Sequence, residues 1–179
     1  MVAKQVGTAV ERGWQVLAHV NGDAAIDQFV NAVAAAGPGR RPTVAIHAQT
    51  AREDQIDEFA RLGILPSFFS MHTYYWGDWY RGTVLGEERA QDISPARWAL
   101  DRGLRYTSHH DAPVALPNSI AVLSSQVTRR TRSGHLLGPP SGSPRWRRFA
   151  RSPSTPPTST ASRTAKAVSR SASSRTWSS

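Results

Sequence analysis

The sequence contains no cysteine. That excludes a disulfide framework, a thiolate metal site and a cysteine nucleophile, so any metal must be held by His, Asp or Glu. Long apolar runs are also missing. Nothing approaches the roughly 18 residues of a membrane span, and Met1-Val2-Ala3-Lys4-Gln5 opens no signal-peptide core. The expectation is a soluble cytoplasmic protein without membrane contact. Acidic residues stop before the C-terminal stretch: residues 141–179 hold 8 Lys+Arg and no Asp or Glu, whereas residues 1–140 hold 14 basic and 13 acidic groups. The net charge of +9 therefore divides as +1 and +8. A strongly basic chain ordinarily suggests a nucleic-acid or membrane-surface partner, but here the charge belongs to an appendage. That appendage has 12 Ser, 5 Thr and 4 Pro, with Val168 as its one branched aliphatic residue. Such a composition forms no core and is expected to be disordered. Two units are expected, a folded part over residues 1–138 and a Ser/Arg/Pro-rich tail over 139–179.

Within the folded part, Gly13 to Val20 is a short apolar run opened by Gly and broken by Asn21-Gly22-Asp23, which reads as a buried strand. From Ala24 to Ala36 the apolar Ile26, Phe29, Val30 and Val33 recur at three and four, the spacing of an amphipathic helix, and Gly37-Pro38-Gly39 stops it. The unit then repeats: a strand over Thr43 to Ala48, and a helix over Arg52 to Leu62 ended by Gly63. Ile64 to Phe69 is a third strand despite Pro66, which cannot donate to a central ladder. Met71 to Arg81 is expected as a long aromatic loop. Ile93-Ser94-Pro95 caps a helix over Ala96 to Arg102, Leu104 to Ser108 is a fourth strand, and Ser119 to Arg129 forms a last helix. Strands alternating with helices give an α/β class with a parallel sheet.

His19, His47, His72 and Asp111 all fall at or just beyond the C-terminal end of successive strands, where α/β folds place their chemistry. Two imidazoles and a carboxylate there make a Zn, Fe or Mn site with room for water, which such a metal activates to attack a carbonyl. A single His near a strand end is ordinarily a hydrogen-bonded structural residue, and the equivalent placement of several sets the two readings level. Asp111, close to Pro113, reads equally as a turn former, and Asp23 reads as a helix N-cap. Tyr74, Tyr75, Trp76, Trp79 and Tyr80 suit a core plug, an interface or a lid over an apolar substrate alike.

Four segments carry a resemblance: His19-Val20-Asn21-Gly22-Asp23 with Ala24-Ala25-Ile26-Asp27, then Ile46-His47-Ala48-Gln49, then Ser70 to Trp79 around His72, and His110-Asp111-Ala112-Pro113-Val114. In this order and spacing they resemble the metal-dependent amidohydrolases, within them amidohydrolase family 3, the subgroup with N-substituted formamide deformylase and the YtcJ-like proteins. The resemblance spans residues 13 to about 138. It implies a partial (β/α)8 barrel made of about its last four β/α units. It implies His19, His47 and Asp111 as ligands of a divalent metal, zinc first with iron or manganese alternative, and Asp111 as the general base. His72, Tyr75, Trp76 and Trp79 would line the substrate pocket. The implied reaction is hydrolysis of an amide or formamide C–N bond in a small molecule.

The family's first-strand His-x-His pair and its fourth-strand bridging residue have no counterpart in this sequence. A whole barrel takes roughly 250 residues and closes on itself. The resemblance therefore implies an inactive, truncated fragment whose open sheet edges favour self-association. The tail can be read as a phosphate-binding, nucleic-acid-contacting segment, or the whole chain as an inert fragment. The preferred reading is a frameshift near Pro140, because permitted codons for Ser141 to Thr158 and for Ala165 to Ser178, read in the next frame, allow strings similar to the family's C-terminal helix and final strand.

Overall fold

The computed structural model describes residues 1–37 and 39–138. Along the chain it forms α1 (Val2–Glu11), β1 (Leu17–Val20), α2 (Asp23–Ala36), β2 (Val44–His47), α3 (Glu53–Leu62) and β3 (Leu65–Phe68). There follow α4 (Met71–Trp79), a π-helical turn (Tyr80–Val84), α5 (Gly86–Ala90), α6 (Ala96–Asp101), β4 (Thr107–Ser108) and α7 (Ser119–Thr128). The four strands are parallel and lie in chain order, β1-β2-β3-β4. This is the expected α/β class, consistent with part of a (β/α)8 barrel. Among the described residues no helix is long and apolar enough to cross a membrane. The expectations for residues 139–179 lie outside the described residues.

The sheet has two unlike faces. Ala18, Val20, Ala45 and Phe68 turn to the helices and join Ile26, Phe29, Ile56, Phe59 and Ala99 in the main core. The opposite face carries two in-register rows, Leu17, Val44 and Leu65, and then His19, Ile46, Ser67 and Thr107. Leu17 and Thr107 in those rows are exposed, and Val44, Ile46 and Leu65 are half-buried. In a closed barrel this is the face that fills the interior with layers of side chains.

Several expected elements differ in detail. α1 lies over a stretch without an expected element; its signal is Val2, Val6 and Val10 at intervals of four, with Val6 buried. The aromatic stretch from Met71 is not a loop but α4 running into a π-helical turn. Its aromatics lie on several faces of the helix, so no apolar stripe betrays it, and single π turns recur at functional sites. β1 begins at Leu17 rather than Gly13, and β4 at Thr107 rather than Leu104. Gly22, not Asp23, occupies the N-cap of α2. Asp23 sits in the first turn, where its carboxylate accepts from the Ala24 amide at 3.0 Å and meets Arg89 at 3.1 Å. Pro66 does stand within β3, paired with Ala45. Leu65 N–H donates to Thr43, so position 66 faces the β4 side, and β4 pairs only from Ser67 onward. The missing proline donor leaves no gap in the ladder.

Candidate metal centre

The C-terminal ends of the strands assemble a cluster of imidazoles and one carboxylate. His47 is the last residue of β2; its φ of 70°, followed by 44° at Ala48, swings the chain out of the strand. Its ring consequently leaves the helix-facing row of Val20 and Phe68 and meets His19 edge-on, with centroids 4.6 Å apart. His109 follows directly on β4, and its amide donates to the Phe68 carbonyl at 3.1 Å, which anchors it to the sheet. Asp111, at φ 54°, opens a tight turn whose carbonyl accepts from the Val114 amide at 2.8 Å. It is thus a turn residue and a rim carboxylate at once.

One ligand atom each from His47, His109 and Asp111 lie within 4.8 Å of one another. The His109 ring is fixed at both nitrogens: Nδ1 stands 2.9 Å from Ser67 Oγ, and Nε2 stands 3.3 Å from His47 Nδ1. Phe69 stacks on the same ring at 5.6 Å. Burial, opposed by Asp111 and reinforced by the His109 and His19 charges, holds the His47 pKa below its usual value. Burial likewise lowers that of His109, again opposed by Asp111. Both rings are therefore kept neutral, the ligating form of imidazole. Two neutral imidazoles and a carboxylate, held by a left-handed turn, a strand end and a hydroxyl, form a donor set that fits a divalent transition metal.

Of the residues expected from sequence, His47 and Asp111 lie in this cluster, while His19 borders it on the inner face. His72 is buried in the first turn of α4, 5.8 Å from the His47 ring and 4.5 Å from Phe69. Burial, with His47 next in weight, pushes it down to about 4. Its Nδ1 has no hydrogen-bond partner among the described residues. Trp76 packs beside it at 5.7 Å. Tyr75 is turned away and lines a groove of about 510 Å³ between α4 and α7, with Tyr74, Met71 and Ser125. Trp79 is exposed. His109 and Ser67 are the residues that sequence reasoning missed. Their signals were present, since His109 is the first residue past the fourth strand and Ser67 is a small hydroxyl in an otherwise apolar strand.

A parallel α/β sheet whose C-terminal rim gathers His and Asp side chains defines a class of protein with a candidate metal site. The match to known proteins narrows it: the model of the Amidohydrolase family, in its family 3 form, covers residues 2–147, and the chain belongs to that family. Among solved structures, the chain resembles an uncharacterized metal-dependent hydrolase from Pyrococcus furiosus with a TM-score of 0.61 and 23% identity, over 72% of this chain and 27% of that one. It also resembles one from Pyrococcus horikoshii OT3 with a TM-score of 0.59 and 22% identity, over 72% and 26%. At such identities the likeness is one of fold. The chain spans about a quarter of the length of these structures. No curated protein matches its sequence.

Proposed function

We propose that this chain supplies the metal-binding rim of a hydrolase that cleaves amide-type C–N bonds, in the subgroup of N-substituted formamide deformylase and the YtcJ-like proteins. The observation that carries the reading is the convergence of His47, His109 and Asp111 at the strand ends. These three would hold a divalent cation, zinc first, with iron and manganese suited to the same donors. His19, the ligand implied by the family resemblance, adjoins His47 as a further candidate. A bound cation of this kind supplies Lewis acidity, which acidifies water and polarises a carbonyl.

The chain's own groups supply the remainder. Asp111 accepts the proton of the attacking water. Ser67 holds the His109 ring in place through Nδ1. His72, neutral and wedged between Phe69 and Trp76, forms a wall that excludes water and receives an apolar or aromatic part of a small amide or formamide. The test is amine release from N-aryl formamides and amides by metal-supplemented protein. Slow release that falls at least about tenfold in Asp111→Asn fits a lost general base. Release that is equal in the two proteins contradicts the assignment.

A further inference from the structure

His72 holds its two ring nitrogens in unlike surroundings. It is the second residue of α4, and its amide donates to the Phe69 carbonyl at 3.2 Å. The residue is only 9% exposed. The rings of Phe69, Trp76, His47 and Tyr80 surround its imidazole, with centroids 4.5, 5.7, 5.8 and 6.2 Å away. This setting is built by the ends of the two inner strands, β2 and β3, and by α4 with its π-helical turn. Among the described residues Nδ1 is enclosed without a partner, and Nε2 is not enclosed in this way. A fully covered atom has no room for a further partner, so Nδ1 stays unpaired.

That asymmetry decides where the proton sits. A neutral imidazole carries one N–H and one bare nitrogen. On Nδ1 the proton would make a buried N–H without an acceptor, which folded proteins avoid more strictly than an unused acceptor. Protonating both nitrogens would create the same orphan. It would also put a positive charge in the first turn of a helix, where the peptide dipoles oppose it and where no acidic residue stands. His72 is therefore neutral with its proton on Nε2, a donor beside the His47–His109–Asp111 cluster. A neutral imidazole near a helix N-terminus can polarise a carbonyl by donating to it, without giving up its proton.

We propose that the Nε2–H of His72 is the hydrogen-bond donor to the carbonyl oxygen of the amide or formamide substrate. The inference rests on the hydrolase reading above and gives the ring a polar task in addition to its packing. As water adds to the carbonyl carbon, its proton passes to Asp111 and the π electron pair of the C=O bond moves onto oxygen. The hydrogen bond from Nε2 strengthens as that charge grows, which is the kind of contact that lowers a barrier. The proton held by Asp111 then goes to the nitrogen as the C–N bond breaks. No proton leaves His72 at any stage.

The test is nitrogen NMR of the full, zinc-supplemented chain carrying isotope-labelled histidine, with and without formanilide, alongside His72→Gln and His72→Asn. Correlations to the carbon-bound ring protons show which nitrogen of His72 is protonated, and the wild-type spectra alone decide this. The expected result is a protonated Nε2 and a bare Nδ1, with the Nε2 signal moved by formanilide. A Gln side chain sets an N–H near the position of Nε2, and an Asn side chain near that of Nδ1. His72→Gln is therefore expected to keep most of the affinity for formanilide, and His72→Asn to bind it roughly tenfold more weakly. A proton on Nδ1 overturns the proposal, as does formanilide that fails to bind or binds without moving the His72 signals. Equal affinity in all three proteins overturns it too, as does His72→Gln binding no tighter than His72→Asn. Formanilide that binds as expected and is not cleaved contradicts the hydrolase reading instead, and leaves the contact standing.

Discussion

Ser67 fixes the orientation of His109. Its hydroxyl stands 2.9 Å from Nδ1 and leaves Nε2 directed at His47 Nδ1, 3.3 Å away. Groups that orient a ligating imidazole typically contribute about 10- to 100-fold to metal affinity. Ser67→Ala is expected to weaken divalent-metal binding within that range, and Ser67→Thr to retain most of it. Calorimetric or cobalt-absorption titration reads both. Equal affinity in all three proteins would show that the hydroxyl has no such role.

Arg129 ties the loop before α6 to the end of the described chain. It is buried at the left-handed C-cap of α7 and donates to the carbonyls of Gln91, Ile93, Ser94 and Leu137. Burial pushes its pKa down to about 10. Leaving a buried acceptor without a donor costs about 1–3 kcal/mol each, so Arg129→Met is expected to lose at least about 3 kcal/mol in urea unfolding. Arg129→Lys recovers only part of this, because an ammonium group cannot reproduce the planar fork. A loss under about 1 kcal/mol for Arg129→Met would contradict the arrangement, judged against that same range.

Two helical glycines should respond oppositely to alanine. A Cβ at Gly77 in α4 would stand 2.7 Å from Thr131 Cγ2 and 2.8 Å from Leu137 Cδ1, whereas one at Gly7 in α1 meets nothing within 4 Å. Gly77→Ala is expected to cost about 1–3 kcal/mol through overpacking, and Gly7→Ala to stabilise by roughly 0.5–1 kcal/mol through chain entropy. Thermal melts of the two variants decide it. The same sign in both would mean that α4 is not pressed against the C-terminal segment as described.

Asp27 gives a pH signature. Its carboxylate accepts Arg52 Nη1 at 3.1 Å and Nη2 at 2.9 Å, and Gln55 Nε2 at 2.6 Å. The Arg52 hydrogen bond first and Gln55 second hold its pKa below the ordinary 3.8. A depressed carboxylate contributes stability that is complete above the unfolded pKa and disappears as pH falls through the folded one. The stability gap between wild type and Asp27→Asn should therefore be constant near neutral pH and shrink below about pH 4. The pair is half exposed, so the gap is expected to be under about 1 kcal/mol. A gap that does not change between pH 7 and pH 3 would remove this pair from the acid response.

The sequence made the α/β alternation legible because each unit repeats the same physical cues, a short branched run followed by a three-and-four spacing and a terminal glycine. Gly37 and Gly63 do end α2 and α3 at positive φ. The aromatic helix was not legible, because a run of Tyr and Trp has no single apolar stripe. Within the site, His47 and Asp111 could be placed from strand ends alone. His109 also follows a strand end, but its part depends on Ser67, 42 residues away in sequence yet paired in register with Thr107. Strand pairing, which a linear reading does not contain, brings that ring to His47.

The central claim is that His47, His109 and Asp111 form a metal site, and its most direct test is metal content by plasma mass spectrometry after loosely held ions are removed. Wild type is compared with His47→Ala, His109→Ala, Asp111→Asn and His19→Ala. The account predicts close to one equivalent of a divalent transition metal per chain in the wild type, lost on changing His47, His109 or Asp111. Loss with His19→Ala as well would add that ring to the ligand set. A wild type that retains no metal, or a metal content unchanged by all of these substitutions, would contradict the account.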